Sequence, residues 1–565
     1  MSNPIYVLGT GLSHDGSSCL LKDGKIIVAI EKERLTRKKH DGGNDLLTVQ
    51  YCLDHAGITV DDLSLVVQSA NFEKESIRKE YHLGKRAFDA DTKVPIVSIS
   101  HHLAHAYSAV GTSPFTQCNV MVIDGCGSFY NQCDDLDLHI PDDITRAPAG
   151  HAEKNSFYFF DGKKMIPLVK DFALFNHDRG KVHLPTIQHS IGGLYAMASH
   201  YCFGSFNHAG KLMGLAPYGN RSEYKEELFR LRDGRVWVNE EMMHAYFTKP
   251  ASFFHSFEEH FQYYADIARW VQEETERAVA YLFKQGIDVH PHENLCYAGG
   301  VALNAVANAG ILQLPQIKNF YIEPAAGDNG LALGCAFYGW TQVLRKEKKA
   351  HSGSTFFGKR YSEKEITEAI ENYSSLHPAE KMNWKKDPDF INSTAAFLAE
   401  GKTIGWFQLG SEFGPRALGH RSILANPAVK DIQHHINSRI KFREDFRPFA
   451  PAVLWEDAAL YFERATESPY MILTDRIKEE WKDKMPGIIH VDGSCRVQTV
   501  KDKADPFYQL LAAYKKITGN CVLLNTSFNR KEMPIVETPA EAIAFFYECA
   551  PDVLVLNDHI ITRSI

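Results

Sequence analysis

Residues Val94 to Ala106 read Val-Pro-Ile-Val-Ser-Ile-Ser-His-His-Leu-Ala-His-Ala, an apolar, β-branched run that passes straight into three histidines. β-Branched residues favour a strand, so the run predicts a strand with a helix opening near His101. On such a helix His101 and His105 stand one turn apart and share a face, with His102 on another. Neutral imidazoles at that spacing converge on a divalent metal without strain. An ordinary polar core position has the same spacing, and two residues do not decide between the two.

Other strands also end in small polar turns. Residues 5–35 read as strand, turn, strand, strand, with Asp23-Gly24 marking a hairpin. The turn Ser13-His-Asp-Gly-Ser-Ser can hold phosphate through its backbone N–H groups, as the equivalent loop of actin-like ATPases does. A strong strand from Asn119 ends at Asp124-Gly-Cys-Gly, where an acid points into the crevice in which α/β sheets bind ligands. A turn-forming aspartate is the alternative there. Asn294 to Asn304 reads as strand, Gly299-Gly300 turn and helix, a reasonable nucleotide contact, and Asp328 lies in a Gly-bounded turn before another helix. Helices are expected over 45–57, 257–286 and 388–400. Residues 131–153 read as an Asp-rich surface insertion, and 73–93 as a basic segment.

At 565 residues the chain is too long for one core. Its 44% hydrophobic and 23% charged content is that of a soluble globular protein. No apolar run approaches the roughly 20 residues that span a bilayer, and the start shows no secretory pattern. A net charge of −8 argues against coating nucleic acid. Eleven cysteines without a Cys-x-x-Cys pair fit a reduced, cytoplasmic protein. The charged stretch around 346–360 reads as a linker, dividing the chain into 1–345 and 361–565.

The second part carries the clearest charge signal. Arg416, Arg421, Lys430, Arg439, Lys441, Arg443 and Arg447 outnumber Asp431, Glu444 and Asp445, and the arginines alternate with Phe442, Phe446, Pro448 and Phe449. Partly buried guanidinium needs phosphate or carboxylate, so this pattern calls for an anionic partner. Arg496, in His490-Val-Asp-Gly-Ser-Cys-Arg, and Asn525-Thr-Ser-Phe-Asn529 could complete the pocket.

Taken together, His-His-Leu-Ala-His-Ala, Lys211-Leu-Met-Gly-Leu-Ala-Pro-Tyr-Gly, Ala298-Gly-Gly-Val-Ala-Leu-Asn, Glu412-Phe-Gly-Pro-Arg-Ala-Leu-Gly, Lys441-Phe-Arg-Glu-Asp-Phe-Arg-Pro-Phe-Ala-Pro, His490-Val-Asp-Gly and Asn525-Thr-Ser-Phe-Asn form a specific series. In this order they resemble, over nearly the whole chain, the O-carbamoyltransferase family of nodulation-factor, cephem and tobramycin carbamoyltransferases. The resemblance implies an α/β enzyme with an N-terminal actin-like (ASKHA) duplicated domain and a C-terminal YrdC-like domain. It implies that carbamoyl phosphate and ATP, the latter with Mg(2+), form carbamoyl-adenylate in the C-terminal domain. The carbamoyl group then passes to a hydroxyl of a small-molecule acceptor in the N-terminal domain.

Position by position, the resemblance makes His101, His105, Asp124 and Asp328 ligands of a divalent metal, with Fe(2+) favoured. It places Arg416, Lys441, Arg447, Arg496, Asn525 and Asn529 around carbamoyl phosphate and ATP, Lys39 close to nucleotide, and His14 near the reacting group. His14 and then Asp124 are the candidate bases for the acceptor hydroxyl. One departure stands out: where the family has Gly-Glu-Pro after this Asn-rich stretch, the chain has Arg530-Lys-Glu-Met-Pro534. Carbamoyl-adenylate hydrolyses in water, so an internal route between the domains is expected. The expected partners are small molecules only, with neither nucleic acid nor membrane, and the protein is a monomer or homodimer. A threonylcarbamoyl-type tRNA-modifying transferase and an actin-like ATP-driven binding module are the alternatives. The acceptor surface is expected in loops 131–153 and 175–190.

Overall fold

The computed structural model describes residues 3–69, 87–88, 92–133, 135–136, 150–174, 189–247, 256–380 and 382–563. Residues 175–188 of the expected acceptor loop 175–190, most of that at 131–153 and most of the basic segment 73–93 lie outside the described residues. The chain divides into two compact units, Met1–Lys32 with His40–Ser354, and Glu33–Lys39 with Thr355–Ile565.

Two five-stranded sheets build the first unit. One comprises β1 (Tyr6–Gly11), β2 (Ser17–Lys22), β3 (Lys25–Glu31), β4 (Leu65–Ser69) and β5 (Ile96–Ser98), in the order β3-β2-β1-β4-β5. β1 pairs antiparallel with β2 and parallel with β4, and the Asp23-Gly24 turn closes β2 onto β3 with both residues at positive φ. Helix α1 (His101–Thr112) follows, every residue of it buried. The other sheet comprises β6 (Cys118–Ile123), β7 (His151–Phe160), β8 (Met165–Leu174), β9 (Asn294–Ala298) and β10 (Asn319–Ile322), in the order β10-β9-β6-β7-β8. β6 pairs antiparallel with β7 and parallel with β9, so the second sheet repeats the first in order and sense. The first unit is therefore a duplicated, actin-like α/β fold. β7 starts at His151, inside the stretch read as a surface insertion, because its buried Glu153 and Lys154 hide the apolar alternation of a strand.

Helices α2 (Ile191–Phe203), α3 (Phe261–Val289), α4 (Ala305–Ile311) and α5 (Leu331–Tyr338) complete the part of this unit that concerns the site. α5 crosses α1 backbone to backbone. A Cβ at Gly334 would lie 1.8 Å from the Ala104 carbonyl oxygen, so a larger residue would drive the two helices apart. That close crossing holds the turn before α5, which carries Asp328, against the histidine face of α1.

The second unit is built on one mixed sheet. Its strands are β11 (Met382–Lys386), β12 (Ile404–Phe407), β13 (Arg421–Ala425), β14 (Ala450–Leu454), β15 (Gln498–Val500), β16 (Val522–Ser527), β17 (Val553–Leu556) and β18 (His559–Arg563). They lie in the order β11-β18-β17-β12-β13-β16-β14-β15. One continuous apolar core packs against them, with Trp406, Leu523, Leu524 and Phe546 fully buried. The stretch read as a linker is divided: Lys348 donates to the Ser113 and Phe115 carbonyls in the first unit. Gly358 and Thr355 pair with Ser411 and Phe413 in the second.

Candidate functional site

The first unit brings His101, His105, Asp124 and Asp328 together, all buried, with their donor atoms within 4.8 Å of one another. The two imidazole Nε2 atoms lie 3.1 Å apart. His101 Nε2 is 3.2 Å from Asp124 Oδ2 and 3.3 Å from Asp328 Oδ1, and His105 Nε2 is 3.5 Å from Asp328 Oδ1. Two nitrogens and two carboxylate oxygens facing one point fit a divalent cation. Without one, burial would lower the His101 pKa, but Asp328 and then Asp124 outweigh it and push it up to about 10. Asp124 and Asp328 are held below the usual carboxylate range in spite of burial, chiefly by His101.

The backbone around these side chains is fixed from outside the helix. The His101 N–H donates to Ser128 Oγ at 2.9 Å and the His102 N–H to Glu153 Oε2 at 3.3 Å, so tertiary partners cap α1. Glu153 Oε2 also accepts from the Ser128 N–H, and its other oxygen pairs with buried Lys170, which in turn holds Asp135 at 2.8 Å. His102 bonds Ser156 Oγ instead of joining the cluster, and burial lowers its pKa to about 3. Gly300 donates its N–H to Asp124 Oδ1 at 2.8 Å. Gly299 has φ of 94°, and a Cβ there would sit 2.3 Å from the Ile123 carbonyl. Both glycines of the Gly-Gly turn thus brace Asp124. Asn304 caps α4 through Ala307 and exchanges hydrogen bonds with Gln272, which uses its side chain fully within the fold.

His14 lies beside the cluster, its Nε2 3.5 Å from Asp328 Oδ2 and its Nδ1 3.2 Å from Asp15. His40 meets the other Asp15 oxygen at 2.8 Å, and Ser13 Oγ bonds Asp328. His14 is exposed on its outer side, and Asp15 and then Asp328 raise its pKa.

The second unit gathers cations. Lys441 Nζ donates to the Ser527 carbonyl at 2.6 Å, to Ser527 Oγ at 3.1 Å and to Asn529 Oδ1 at 2.6 Å, all uncharged acceptors. Arg443 is held by Asn437 Oδ1 at 2.6 Å with its guanidinium over the Phe449 ring. Asn525 donates to Gln498, and the Glu412 carboxylate fixes the Arg416 loop by accepting from the N–H groups of Leu418, His420 and Arg421. Arg416, Lys441, Arg443, Arg447 and Arg496 form no ion pair with a carboxylate among the described residues. Burial lowers the pKa of each. Arg416 falls to about 10 with Arg447 adding to the effect, Arg496 feels Arg416, Arg443 and Arg447, and Lys441 feels Arg443, Arg447 and Lys39. Glu444 offsets part of this repulsion at Arg443 and Arg447, and Glu532 a further part at Arg447, and crowded guanidinium and ammonium groups of this kind suit phosphate or carboxylate.

The basic run of the sequence therefore splits. Arg421 turns into the core, donating to the Gln408 carbonyl and stacking on Phe407, while Lys430 and Arg439 are exposed. Arg443, which the charge pattern included but the family positions did not, joins the cluster, as does Ser527, which neither named. Their positions, two residues from Lys441 and Asn529, were the available signal. In the stretch that departs from the family's Gly-Glu-Pro, Glu532 has a left-handed backbone with φ of 65°. The Asn529 amide donates to the Met533 carbonyl at 2.5 Å, closing the loop.

Residues 7–87 and 59–337 match the family model described as carbamoyltransferase N-terminus, and residues 395–563 match carbamoyltransferase C-terminus. The chain belongs to the carbamoyltransferase family and is an enzyme that transfers carbamoyl groups. It is similar to an uncharacterized protein of Synechocystis, at 32% identity over 99% of this chain and 97% of the relative. It also resembles nodulation protein NolNO of Sinorhizobium fredii, at 30% identity over 97% of this chain and 79% of that protein. Nodulation protein NolO of Bradyrhizobium diazoefficiens is 31% identical over 82% of this chain and 79% of its own length. Among the described residues no helix is long and apolar enough to cross a membrane.

Proposed function

We propose that this enzyme is an ATP-dependent O-carbamoyltransferase working in two half-reactions, the first in a YrdC-like second unit. Water cleaves carbamoyl phosphate to carbamate and phosphate, and a carbamate oxygen then attacks the α-phosphorus of ATP and expels pyrophosphate. The carbamoyl carbon of the resulting adenylate then takes the oxygen of an acceptor hydroxyl, and AMP leaves.

The observation that carries this reading is the crowding of Arg416, Lys441, Arg443, Arg447 and Arg496, which repel one another with only Glu444 and Glu532 to offset them. Bringing a carbamate against a triphosphate sets anion against anion, and fixed cations offset that repulsion. Lys441 and Arg447 serve the phosphates, with Arg416 and Arg496 orienting the carbamoyl-bearing group. Asn525 and Asn529 supply directional hydrogen bonds, and Mg(2+) accompanies the nucleotide.

In the first unit, His101, His105, Asp124 and Asp328 would hold a divalent ion, iron by the family resemblance, which would supply Lewis acidity toward the carbamoyl carbonyl. His14 takes the hydroxyl proton. Asp124 suits that role less, because one oxygen holds the Gly300 N–H and the other faces His101. Asp15 and then Asp328, which raise the His14 pKa, would stabilise its imidazolium once the proton has been taken. The acceptor is a small hydroxylated molecule. The test is pyrophosphate release that requires both ATP and carbamoyl phosphate. Release with ATP alone, or none with both, contradicts the proposal.

A further inference from the structure

The anion site is completed by a piece of chain far from it in sequence. Glu33–Lys39 packs with the second unit, although the residues on either side of it belong to the first. The segment is basic, with Arg34, Arg37, Lys38 and Lys39. A short helix, Lys32–Thr36, ends at Arg37, whose φ of 60° turns the chain. Both arginines reach loops of the cation cluster. Buried Arg34 donates from Nη2 to the Gly414 carbonyl at 2.8 Å, two residues before Arg416. Arg37 spans two consecutive carbonyls, Nη1 on Ile535 at 2.7 Å and Nη2 on Pro534 at 2.8 Å, just beyond Asn529 and the strained Glu532. Its Nη1 also lies 3.4 Å from Glu541, the carboxylate that caps helix α6 (Pro539–Cys549).

We propose that Arg34 and Arg37 are positioning residues that strap the Arg416 loop and the Asn529–Pro534 loop together and deliver Lys39 to the nucleotide side of the same site. A planar guanidinium fork suits this task, because it bonds two fixed carbonyl oxygens at once where an ammonium meets one. The matching part of the C-terminal family model, residues 395–563, contains none of this segment. The first half-reaction thus depends on residues 33–39 as well as on the second half of the chain. This inference rests on the nucleotide reading of the cluster given above.

The test uses the full-length chain and MgATP, with binding followed by calorimetry and turnover by pyrophosphate release. Arg37→Ala should raise the MgATP Kd and KM at least tenfold, with a smaller change in kcat and unchanged metal content of the first unit. Arg37→Lys should fall between that variant and wild type, which keeps the test open should Arg37→Ala fold poorly. If Arg37 works through Lys39, the double variant Arg37→Ala/Lys39→Gln should fall short of the product of the two single effects. MgATP binding by Arg37→Ala and Arg37→Lys within twofold of wild type overturns the strap, as does full multiplication of the single effects. A wild-type chain that binds MgATP but releases no pyrophosphate with carbamoyl phosphate overturns the assigned reaction instead and leaves the strap standing. A wild-type chain that binds no MgATP overturns both.

Discussion

Lys170 sits behind the histidine helix as the cation between two buried carboxylates. Its Nζ lies 2.8 Å from both Asp135 oxygens, bonds Glu153, and reaches the Tyr158 hydroxyl at 3.2 Å. Lys170→Met keeps the length of the side chain and removes the charge, leaving Glu153 and Asp135 facing each other without compensation. Removing one partner from a buried pair costs about 3–5 kcal/mol. That is a large part of the roughly 5–15 kcal/mol that holds a typical domain together. A melting point lowered by roughly 6 °C or more is expected on the scale of about 2–4 °C per kcal/mol. The effect should also reach the candidate metal ligands. Glu153 Oε2 holds the His102 and Ser128 N–H groups, and Ser128 holds the His101 N–H, so a displaced Glu153 loosens the start of α1. Calorimetric melting and a metal titration of the same variant measure both effects. Adding Glu153→Gln should recover part of the lost stability, because it removes one of the stranded charges. A Lys170→Met chain that melts with wild type and binds metal as tightly would refute this account of the network.

Three further outcomes follow from the same geometry. In the metal-free chain His101 binds its proton up to about pH 10, so metal must displace that proton; apparent affinity should rise with pH from neutrality toward 10. Proton release of about one per metal, read by calorimetry in buffers of different ionisation enthalpy, checks it, and a pH-independent affinity contradicts it. His102 is buried neutral with its pKa near 3, so the unfolded chain binds the extra proton as pH falls below about 6.5; its contribution to stability is present above that pH and lost progressively toward 3, which His102→Gln should abolish in acid unfolding curves. Glu532→Gly should stabilise the second unit by about 1 kcal/mol, since glycine adopts φ of 65° without a Cβ penalty, and a denaturant midpoint that falls would count against it.

The fold and the candidate metal cluster were legible in the sequence to different depths. A β-branched run entering a helix at His101 is local information, and α1 begins at that residue. Asp124 was readable as an acid ending a buried strand. Asp328 joins the cluster only because α5 crosses α1 at Gly334 and Ala104, a long-range packing event that spacing does not encode. The Gly299-Gly300 turn carries a recognisable pattern, but whether its N–H groups serve a phosphate or a carboxylate depends on Asp124, distant in sequence. Lys170 and Glu153 were invisible, because charges on strands read as solvated positions until the partner strands are known. The strap was hidden for the same reason: Arg34 and Arg37 bond carbonyls at Gly414, Pro534 and Ile535, and a carbonyl has no residue type to recognise.

The central claim is that activation and transfer occur at two separate sites. The most direct measurement is carbamoyl-phosphate-dependent pyrophosphate release and acceptor carbamoylation, followed in parallel for His101→Ala and Arg447→Ala. The account predicts that His101→Ala still releases pyrophosphate but carbamoylates no acceptor, and that Arg447→Ala loses both because no adenylate forms. Loss of the same half-reaction in both variants, with activation intact or abolished in each, would contradict it.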